Sequence, residues 1–287
     1  MRIPLTALAV ILFSLVEATI AVAQPVASTP VGPVPLDVAC GDRLAARVTD
    51  GDRDPVRVLG CDPAGRGRAI VALGDPATAA DIAVLVPGSD IDLHTLDDPA
   101  RPQHRPLGWA RALHAAAGPD TAVVLWGGYP TPQGLGVDAA TGRLARAAVP
   151  ALVDEVGSLV HRPGVRPHLT VIGHSYGSVV VALAASRLQA DDIVLLGSPG
   201  ARAPDVAALH TRARVEAART ARDWIARVPH LQLGDLGHGT DPVSPAFGAV
   251  RLPAGGTHGH EGYFRPGSQS LASIAAVVTG AFAGSSR

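Results

Sequence analysis

The chain has 287 residues, of which 47% are hydrophobic but only 3% are aromatic, and its formal net charge at pH 7 is −1. The 24 basic residues are all arginine and form no basic run, so the sequence does not favour a nucleic-acid partner. The apolar residues are mainly alanine, valine and leucine, a composition typical of a parallel sheet covered by helices with small side chains.

The first 23 residues have the pattern of an export signal. An apolar run covers residues 3–16, and the small residues 21–23 stand where a signal peptidase cleaves. Glu17 interrupts the apolar run, which argues against a stable transmembrane span. We therefore predict a signal peptide over residues 1–23 and a mature protein that is secreted or associated with the cell envelope. An uncleaved N-terminal anchor is the alternative.

The segment after the predicted signal differs in composition from the rest of the chain. Residues 24–50 are rich in Pro and Ala and are predicted to be a linker and N-terminal segment, followed by one α/β domain over residues 51–287. Turns alternating with short strands are expected over residues 37–75. The two cysteines, Cys40 and Cys61, lie in this part of the chain, and export favours a disulfide between them. Two buried free thiols are the alternative.

Apolar runs and helical patterns alternate along the rest of the chain, which indicates a mostly parallel central sheet with helices on both faces. The predicted strands cover residues 56–59, 69–73, 82–86, 122–126, 169–172 and 193–196, with weaker candidates at 215–220 and 249–252. Four helices are predicted. The first ends near residue 118, the second covers residues 140–160 and the third covers residues 178–185. The last begins at the N-cap Ser268 and ends at Gly280. No long insertion separates residues 196 and 215, so we expect no large lid domain.

The most informative motif is the pentapeptide Gly-His-Ser-Tyr-Gly at residues 173–177, between a predicted strand and a predicted helix. A G-x-S-x-G pattern in that context is a nucleophile elbow, which holds the serine in a strained turn above the sheet edge. The flanking glycines allow the strand and the helix to approach each other without a Cβ clash. We predict that Ser175 is a catalytic nucleophile and that His174 is structural.

A serine hydroxyl requires an adjacent base, and the base requires an orienting acid. In folds that carry a nucleophile elbow, the acid and then the histidine follow the serine along the chain. The loop before the last helix contains His258 and His260, and we favour His260 because it stands nearer to that helix. His238 is a weaker candidate, and a surface position for His258 and His260 is the alternative to a catalytic one.

The acid is expected after the predicted strand at residues 215–220. Asp223 lies there, and the apolar residues that follow it are suited to shield its carboxylate. Asp241 and Asp205 remain alternatives, and Asp223 is also suited to cap a helix.

Two backbone N–H groups are needed to stabilise the oxyanion. We assign them to Tyr176, which follows the nucleophile, and to Ser89, which follows the strand at residues 82–86. Gly88 allows this loop to come close to the serine. Gly88, Trp126 and Tyr129 are candidates for the substrate pocket, although packing explains the two aromatic residues equally well.

Several motifs along residues 56–280 resemble one known family. They cover residues 59–63, 72–76, 86–88, 173–177, 197–200 and 247–249. In these motifs the chain resembles the bacterial α/β-hydrolases of a domain family whose function is uncharacterised. The resemblance implies the serine-hydrolase fold and supports Ser175, Asp223 and His260, but it implies no substrate.

The pattern as a whole predicts an exported serine hydrolase that cleaves carboxylic esters through a Ser-His-Asp triad and an acyl-enzyme, without a metal or other cofactor. The substrate is expected to be a small-molecule or lipid ester with a short to medium acyl chain. After signal cleavage no stable transmembrane span is expected, and nothing in the sequence indicates the oligomeric state. The alternatives are an acyltransferase or amidase that uses the same triad, an inactive binding protein, and a metal-dependent hydrolase that uses His258, His260, His238 and Asp241.

Overall fold

The computed structural model describes residues 29–49, 55–162, 164 and 166–282. The predicted signal peptide, residues 1–23, lies outside the described residues. The strands of the central sheet are β1 (Val56–Asp62), β2 (Arg68–Leu73), β3 (Asp81–Val86), β4 (Thr121–Gly127), β5 (His168–His174), β6 (Asp192–Leu196), β7 (Arg214–Ala218) and β10 (Val250–Arg251). A separate two-stranded hairpin consists of β8 (Gln232–Leu233) and β9 (Leu236–Gly237).

The eight strands of the central sheet lie in the order β1-β2-β4-β3-β5-β6-β7-β10. The pairs β1–β2 and β2–β4 are antiparallel, and all the other neighbours are parallel. The predicted mostly parallel sheet is therefore confirmed. Because the strands from β3 to β7 are parallel, the loops that follow them emerge at one edge of the sheet, where the candidate site residues lie.

The described helices are α1 (Val38–Val48), α2 (Pro106–Ala117), α3 (Val137–Ala140), α4 (Arg143–Val160), α5 (Tyr176–Ala184) and α6 (Gln269–Val278). The helices α4 and α5 cover one face of the sheet, and α1, α2 and α6 cover the other. Alternate side chains of β3 enter the two cores, since Ile82 and Val84 belong to the first and Ala83 and Leu85 to the second. This double burial explains why the strands are continuously apolar in sequence.

The expectation of turns and short strands over residues 37–75 is wrong for its first part, because α1 begins at Val38. The Asp37 side chain caps this helix by accepting a hydrogen bond from the Cys40 amide at 2.7 Å. Cys40, Leu44 and Val48 are spaced four residues apart and form the buried face of α1. The boundary between the linker and the domain near residue 50 stays a prediction.

The disulfide between Cys40 and Cys61 is confirmed, and it joins α1 to β1 across a sequence separation of 21 residues. It links two elements at the start of the described domain and involves no residue of the candidate site.

The connection from β6 to β7 contains only one short 3₁₀ helix, Ala207–Leu209, and no large lid domain, as expected. A smaller cap comes later in the chain, where the β8–β9 hairpin lies between β7 and β10. Over the described ranges, no helix has both the length and the apolar character needed to cross a bilayer.

Candidate active site

Ser175 forms the entire turn between β5 and α5. Its φ and ψ angles are 55° and −128°, in a region that non-glycine residues seldom occupy. The flanking glycines are required for close approach: a Cβ at Gly173 would lie 2.5 Å from the Cα of Ser178, and a Cβ at Gly177 would lie 2.2 Å from the Val86 carbonyl oxygen. The strand–turn–helix context predicted from the pentapeptide is therefore present, and Ser175 is partly exposed at its tip.

Asp223 and His260, predicted as acid and base, are hydrogen-bonded to each other. Asp223 follows β7, His260 lies between β10 and α6, and the distance from His260 Nδ1 to Asp223 Oδ1 is 2.8 Å. Two further hydrogen bonds join the loops that carry them. The Gly259 amide donates to the Ala221 carbonyl at 2.8 Å, and the Thr220 hydroxyl donates to the Gly259 carbonyl at 2.6 Å.

The Asp223 carboxylate is buried and accepts hydrogen bonds from three groups. Besides His260, the Ile225 amide donates to Oδ1 at 2.9 Å and the Tyr263 hydroxyl donates to Oδ2. Burial by itself raises the pKa of the Asp223 carboxyl, but these three donors and the electrostatic attraction of the His260 side chain outweigh it and hold the pKa below its usual value. Since an ionised carboxylate only accepts, His260 Nδ1 carries the proton and Nε2 is the accepting nitrogen.

His260 lies beside the elbow. Its ring centroid is 4.7 Å from that of His174, and a Cβ at Gly197 would lie 3.2 Å from His260 Cε1. The residue before Gly197, Leu196, accepts a hydrogen bond from the Ser175 amide at 2.9 Å. Among the described residues, His260 Nε2 is buried without a hydrogen-bond partner, and it makes no hydrogen bond with Ser175. Such bonds are often long before substrate binds.

His174 is buried, as expected for a structural residue. Burial, followed by the repulsion of His260, lowers the pKa of His174 to about 3, so its imidazole is neutral at pH 7. Its Nε2–H donates to the main-chain carbonyl of His260 at 2.7 Å. The second residue of the pentapeptide therefore positions the loop that carries the predicted base.

The two predicted oxyanion donors come from adjacent stretches of backbone. A Cβ at Gly88 would lie 2.7 Å from the Ser175 Cβ and 3.0 Å from the Tyr176 amide nitrogen, so the loop after β3 presses against the start of α5. Within the described part of the chain, neither the Tyr176 amide nor the Ser89 amide donates a hydrogen bond. Ser89 and Ser175 border the same cavity.

Neither alternative histidine is among the hydrogen-bond partners of the Asp223 carboxylate, which are His260, Tyr263 and Ile225. His258 is exposed, whereas His238 is buried and its Nε2 is hydrogen-bonded to the Ala139 carbonyl at 2.8 Å. In the segments that the structure describes, no group of three or more His, Cys, Asp or Glu side chains is arranged to hold a metal ion.

The alternative acids have other partners. Asp241 forms an ion pair with Arg219 and lies 3.4 Å from a ring nitrogen of His230. Asp205 accepts a hydrogen bond from the Ala208 amide at 2.9 Å, which is a local capping contact. The structure therefore pairs Asp223 with His260 beside the elbow that carries Ser175, and it gives Asp241 and Asp205 other partners.

A cavity of about 520 Å³ opens beside Ser175. Its lining contains no charged side chain and is dominated by aliphatic and aromatic groups. The lining residues are Ser89, Leu135, Ala139, Ala140, Ser175, Tyr176, Pro199, Trp224, Ile225, Val228, Pro229, Leu231, Leu233, Leu236, Gly237 and His238.

None of the three predicted pocket residues, Gly88, Trp126 and Tyr129, borders this cavity. Trp126 and Tyr129 are buried and stacked on each other, with ring centroids 5.8 Å apart. The Tyr129 hydroxyl donates to the Pro87 carbonyl at 2.7 Å, so it supports the loop that carries Ser89. The structure therefore places both aromatic residues in the packed interior and not in the wall of this cavity. Gly88 contacts the elbow instead of lining the cavity.

Sequence reasoning did not identify the contact of Tyr263 with Asp223 or the apolar wall of the cavity. Tyr263 donates to the predicted acid, and no local pattern marks it because the contact spans 40 residues. The apolar wall formed by Trp224 and by Leu231, Leu233 and Leu236 was also missed. Its signal was the cluster of three leucines at residues 231–236.

Comparison with known proteins agrees with this architecture. A model of an alpha/beta hydrolase family matches residues 62–233. An uncharacterised protein of Mycobacterium tuberculosis, found in two strains, is 35% identical over 263 residues, a match that covers 79% of this chain and 39% of that protein. The chain thus spans about two-fifths of the length of the curated relatives it matches.

Similar solved structures include esterase PE8, with a TM-score of 0.47 and 16% identity, covering 74% of this chain and 97% of that one. Another is the lidless serine hydrolase XC6422 from Xanthomonas campestris, with a TM-score of 0.42 and 16% identity, covering 81% of this chain and 94% of that one. Since the family match extends over more than half of the chain, and the sheet order and the elbow agree with it, this protein belongs to the alpha/beta hydrolase family.

Proposed function

We propose that the protein is a serine hydrolase that cleaves carboxylic esters, with Ser175 as nucleophile, His260 as general base and Asp223 as the acid that orients it. One observation carries the proposal: the buried Asp223 carboxylate holds His260 Nδ1, while Nε2 is unpaired beside the elbow. A neutral imidazole held in this tautomer is the group that a serine hydroxyl needs in order to react at neutral pH.

The reaction follows from these positions. Ser175 Oγ attacks the ester carbonyl carbon, its proton moves to His260 Nε2, and the carbonyl oxygen becomes an oxyanion that accepts from the Tyr176 and Ser89 amides. The tetrahedral intermediate collapses, and the alcohol leaves with the proton from His260. Water then loses a proton to His260 and attacks the acyl-enzyme carbonyl. Collapse of the second intermediate releases the acid and returns the proton to Ser175.

The cavity supports an ester with an apolar acyl group. Its volume of about 520 Å³ lies within the roughly 300–1,000 Å³ range of small-ligand sites, and no charged group borders it. An acyl chain of short to medium length therefore gains from leaving water, whereas a charged acyl group would lose its hydration without a partner.

The test is labelling of the purified protein with a fluorophosphonate probe, together with hydrolysis of p-nitrophenyl esters. We expect labelling that disappears in Ser175→Ala and ester turnover that falls at least about 1,000-fold in Ser175→Ala and His260→Gln. A wild-type protein that is neither labelled nor active on any ester would refute the proposal and favour a binding protein. Turnover that persists in Ser175→Ala but is lost with a chelator would favour metal chemistry.

Two matched variants separate the residues that sequence alone left open. His258→Gln removes an exposed imidazole two residues from His260, and Asp241→Asn removes a carboxylate that is paired with Arg219. Both are expected to keep most of the wild-type kcat, while Asp223→Asn should lower it by orders of magnitude because Nδ1 loses its carboxylate acceptor. Product analysis with added alcohols and with amide substrates distinguishes hydrolysis from acyl transfer and from amidase activity.

We also propose that the protein is exported after cleavage of residues 1–23. The disulfide between Cys40 and Cys61 supports this, because such bonds persist mainly in oxidising compartments outside the cytoplasm. N-terminal sequencing of protein recovered from the medium and the cell envelope tests it, and an intact N-terminus at residue 1 in a purely cytoplasmic fraction would contradict it.

A further inference from the structure

The mouth of the Ser175 cavity is surrounded by exposed apolar side chains. We call Leu135, Trp224, Leu231, Leu233 and Leu236 the apolar rim. All five line the cavity, yet between 39% and 78% of each residue is exposed to solvent. Large apolar side chains that are grouped and exposed in this way mark an interaction surface.

The apolar rim holds most of the exposed large hydrophobic residues in the described part of the chain. Nine such residues are present there, and five of them form the rim. A sixth, Val137, is 77% exposed and lies two residues from Leu135. The other three, Leu36, Val38 and Leu59, lie at the start of the domain near α1 and β1. Exposure of this kind is thus concentrated at the opening that leads to Ser175.

The hairpin that carries Leu233 and Leu236, and that Leu231 directly precedes, is held in place by largely buried charges. Asp235, at its turn, accepts two hydrogen bonds from Arg146 at 2.7 and 2.8 Å and one from Arg202 at 2.9 Å. Arg202 is itself nearly fully buried and donates to the Gly237 carbonyl at 2.6 Å. An antiparallel bridge between Thr141 and Leu236 adds a backbone contact. The fold therefore keeps these leucines exposed on a fixed element.

We propose that the apolar rim docks on the surface of a lipid aggregate, a membrane or a droplet, and that esters pass from this surface into the cavity. A protein or a second copy of this chain seated on the rim would close the opening beside Ser175. A lipid surface covers the same side chains and also supplies apolar substrate through the contact. The lining of the Ser175 cavity carries no charge, which suits an acyl chain that enters from a lipid surface. The substrate part of this inference rests on the proposed esterase function, but docking itself does not require catalysis.

The test measures vesicle binding with the Ser175→Ala variant, so that turnover plays no part. We use phosphatidylcholine vesicles, which have no net charge, and flotation at low and high salt. We expect binding that salt does not weaken, because it depends on burial of apolar groups. The double variant Leu233→Ser, Leu236→Ser should lower the partition coefficient by at least about tenfold.

A second pair of variants keeps the cavity lining intact. Val137→Ser, next to the rim, should weaken vesicle binding several-fold while kcat/KM on a soluble ester is unchanged, because Val137 does not border the cavity. Val38→Ser is the matched control, since Val38 is 70% exposed but lies on α1. This control is expected to bind vesicles like the parent protein.

Three outcomes would overturn the proposal. The first is the absence of binding to phosphatidylcholine vesicles. The second is binding that occurs only with anionic vesicles and is abolished by salt. Such binding would point to the exposed Arg222 and Arg227 instead of the rim. The third is rim-dependent dimers without vesicle binding, which would make this face an interface between copies. Failure of the esterase proposal looks different, because vesicle binding would then occur without fluorophosphonate labelling of the wild-type protein.

Discussion

The buried hydroxyl of Tyr263 offers a sharp test of the Asp223 environment. Tyr263→Phe removes one oxygen and keeps the ring, which is fully buried and packs edge-on against His174 at 5.5 Å. In the wild-type protein this hydroxyl donates to Asp223 Oδ2 and accepts from the Thr220 amide at 3.3 Å. The variant therefore leaves Asp223 with two of its three donors, those from His260 and Ile225.

The size of the effect follows from the burial of the carboxylate, whose side chain is 0% exposed. A hydrogen bond to a charged group contributes about 1.5–3 kcal/mol, so we expect the free energy of unfolding at pH 7 to fall by about 2 kcal/mol. Loss of the donor also raises the pKa of Asp223. Because the His260–Asp223 bond survives, kcat/KM on esters should fall only about tenfold, which corresponds to 1.4 kcal/mol.

The sign of the pH dependence can be derived from the pKa of Asp223, which is lowered in the folded protein. A carboxyl whose folded pKa is depressed adds stability above its unfolded pKa of about 3.9, and this stability is lost as the pH falls through the folded pKa. The stability difference between wild type and Tyr263→Phe should therefore be full at pH 7 and shrink below about pH 4.

Urea unfolding at a series of pH values measures this difference. Tyr129→Phe is the matched control, because its buried hydroxyl donates to the neutral Pro87 carbonyl and its stability loss should not change over the same acid range. A Tyr263→Phe deficit that is absent at pH 7, or that grows as the pH falls below about 4, would refute the reasoning about Asp223.

Three further predictions concern the elbow, the disulfide and the cavity. Gly88→Ala places a methyl group 2.7 Å from the Ser175 Cβ, so kcat on esters should fall by about 100-fold or more, and overpacking should lower the free energy of unfolding by about 1–3 kcal/mol; unchanged kcat would show that this loop does not form the oxyanion hole. Cys40→Ser should lower the free energy of unfolding by about 3 kcal/mol, given the 21-residue separation from Cys61, and a reductant should reproduce the loss in the wild-type protein. Along a p-nitrophenyl ester series, each added methylene should raise kcat/KM up to about fourfold until the cavity is filled; no rise beyond acetate would show that the acyl chain does not enter it.

Local sequence patterns were sufficient to predict the central strands and the nucleophile elbow. The strands β3 to β6 are buried on both faces, so their apolar runs identify them without any knowledge of their partners. The clash that excludes a side chain at Gly173 is equally local, because it involves Ser178 in the helix of the same turn. The clash at Gly177 involves Val86 of the neighbouring strand and is therefore a tertiary contact. The helix α1 was within reach of the same reasoning, through the spacing of Cys40, Leu44 and Val48.

Which residues act with Ser175 in the proposed triad is decided by the tertiary structure. His258 and His260 differ by two positions in one loop, and only the packing of that loop against the chain after β7 decides which imidazole meets Asp223. The assignment of Tyr263 to the same carboxylate spans 40 residues, and no sequence period links residues that far apart.

The sequence by itself determined the sheet, the strained serine and the order in which a nucleophile, an acid and an imidazole occur, because steric limits and apolar periodicity act over a few residues. The tertiary structure alone decided which side chains share a hydrogen bond and which leucines remain in water. Leu231, Leu233 and Leu236 lie around the cavity because Arg146 and Arg202 hold Asp235 from distant parts of the chain. Contacts of that kind depend on the relative placement of whole elements, which local pattern does not encode.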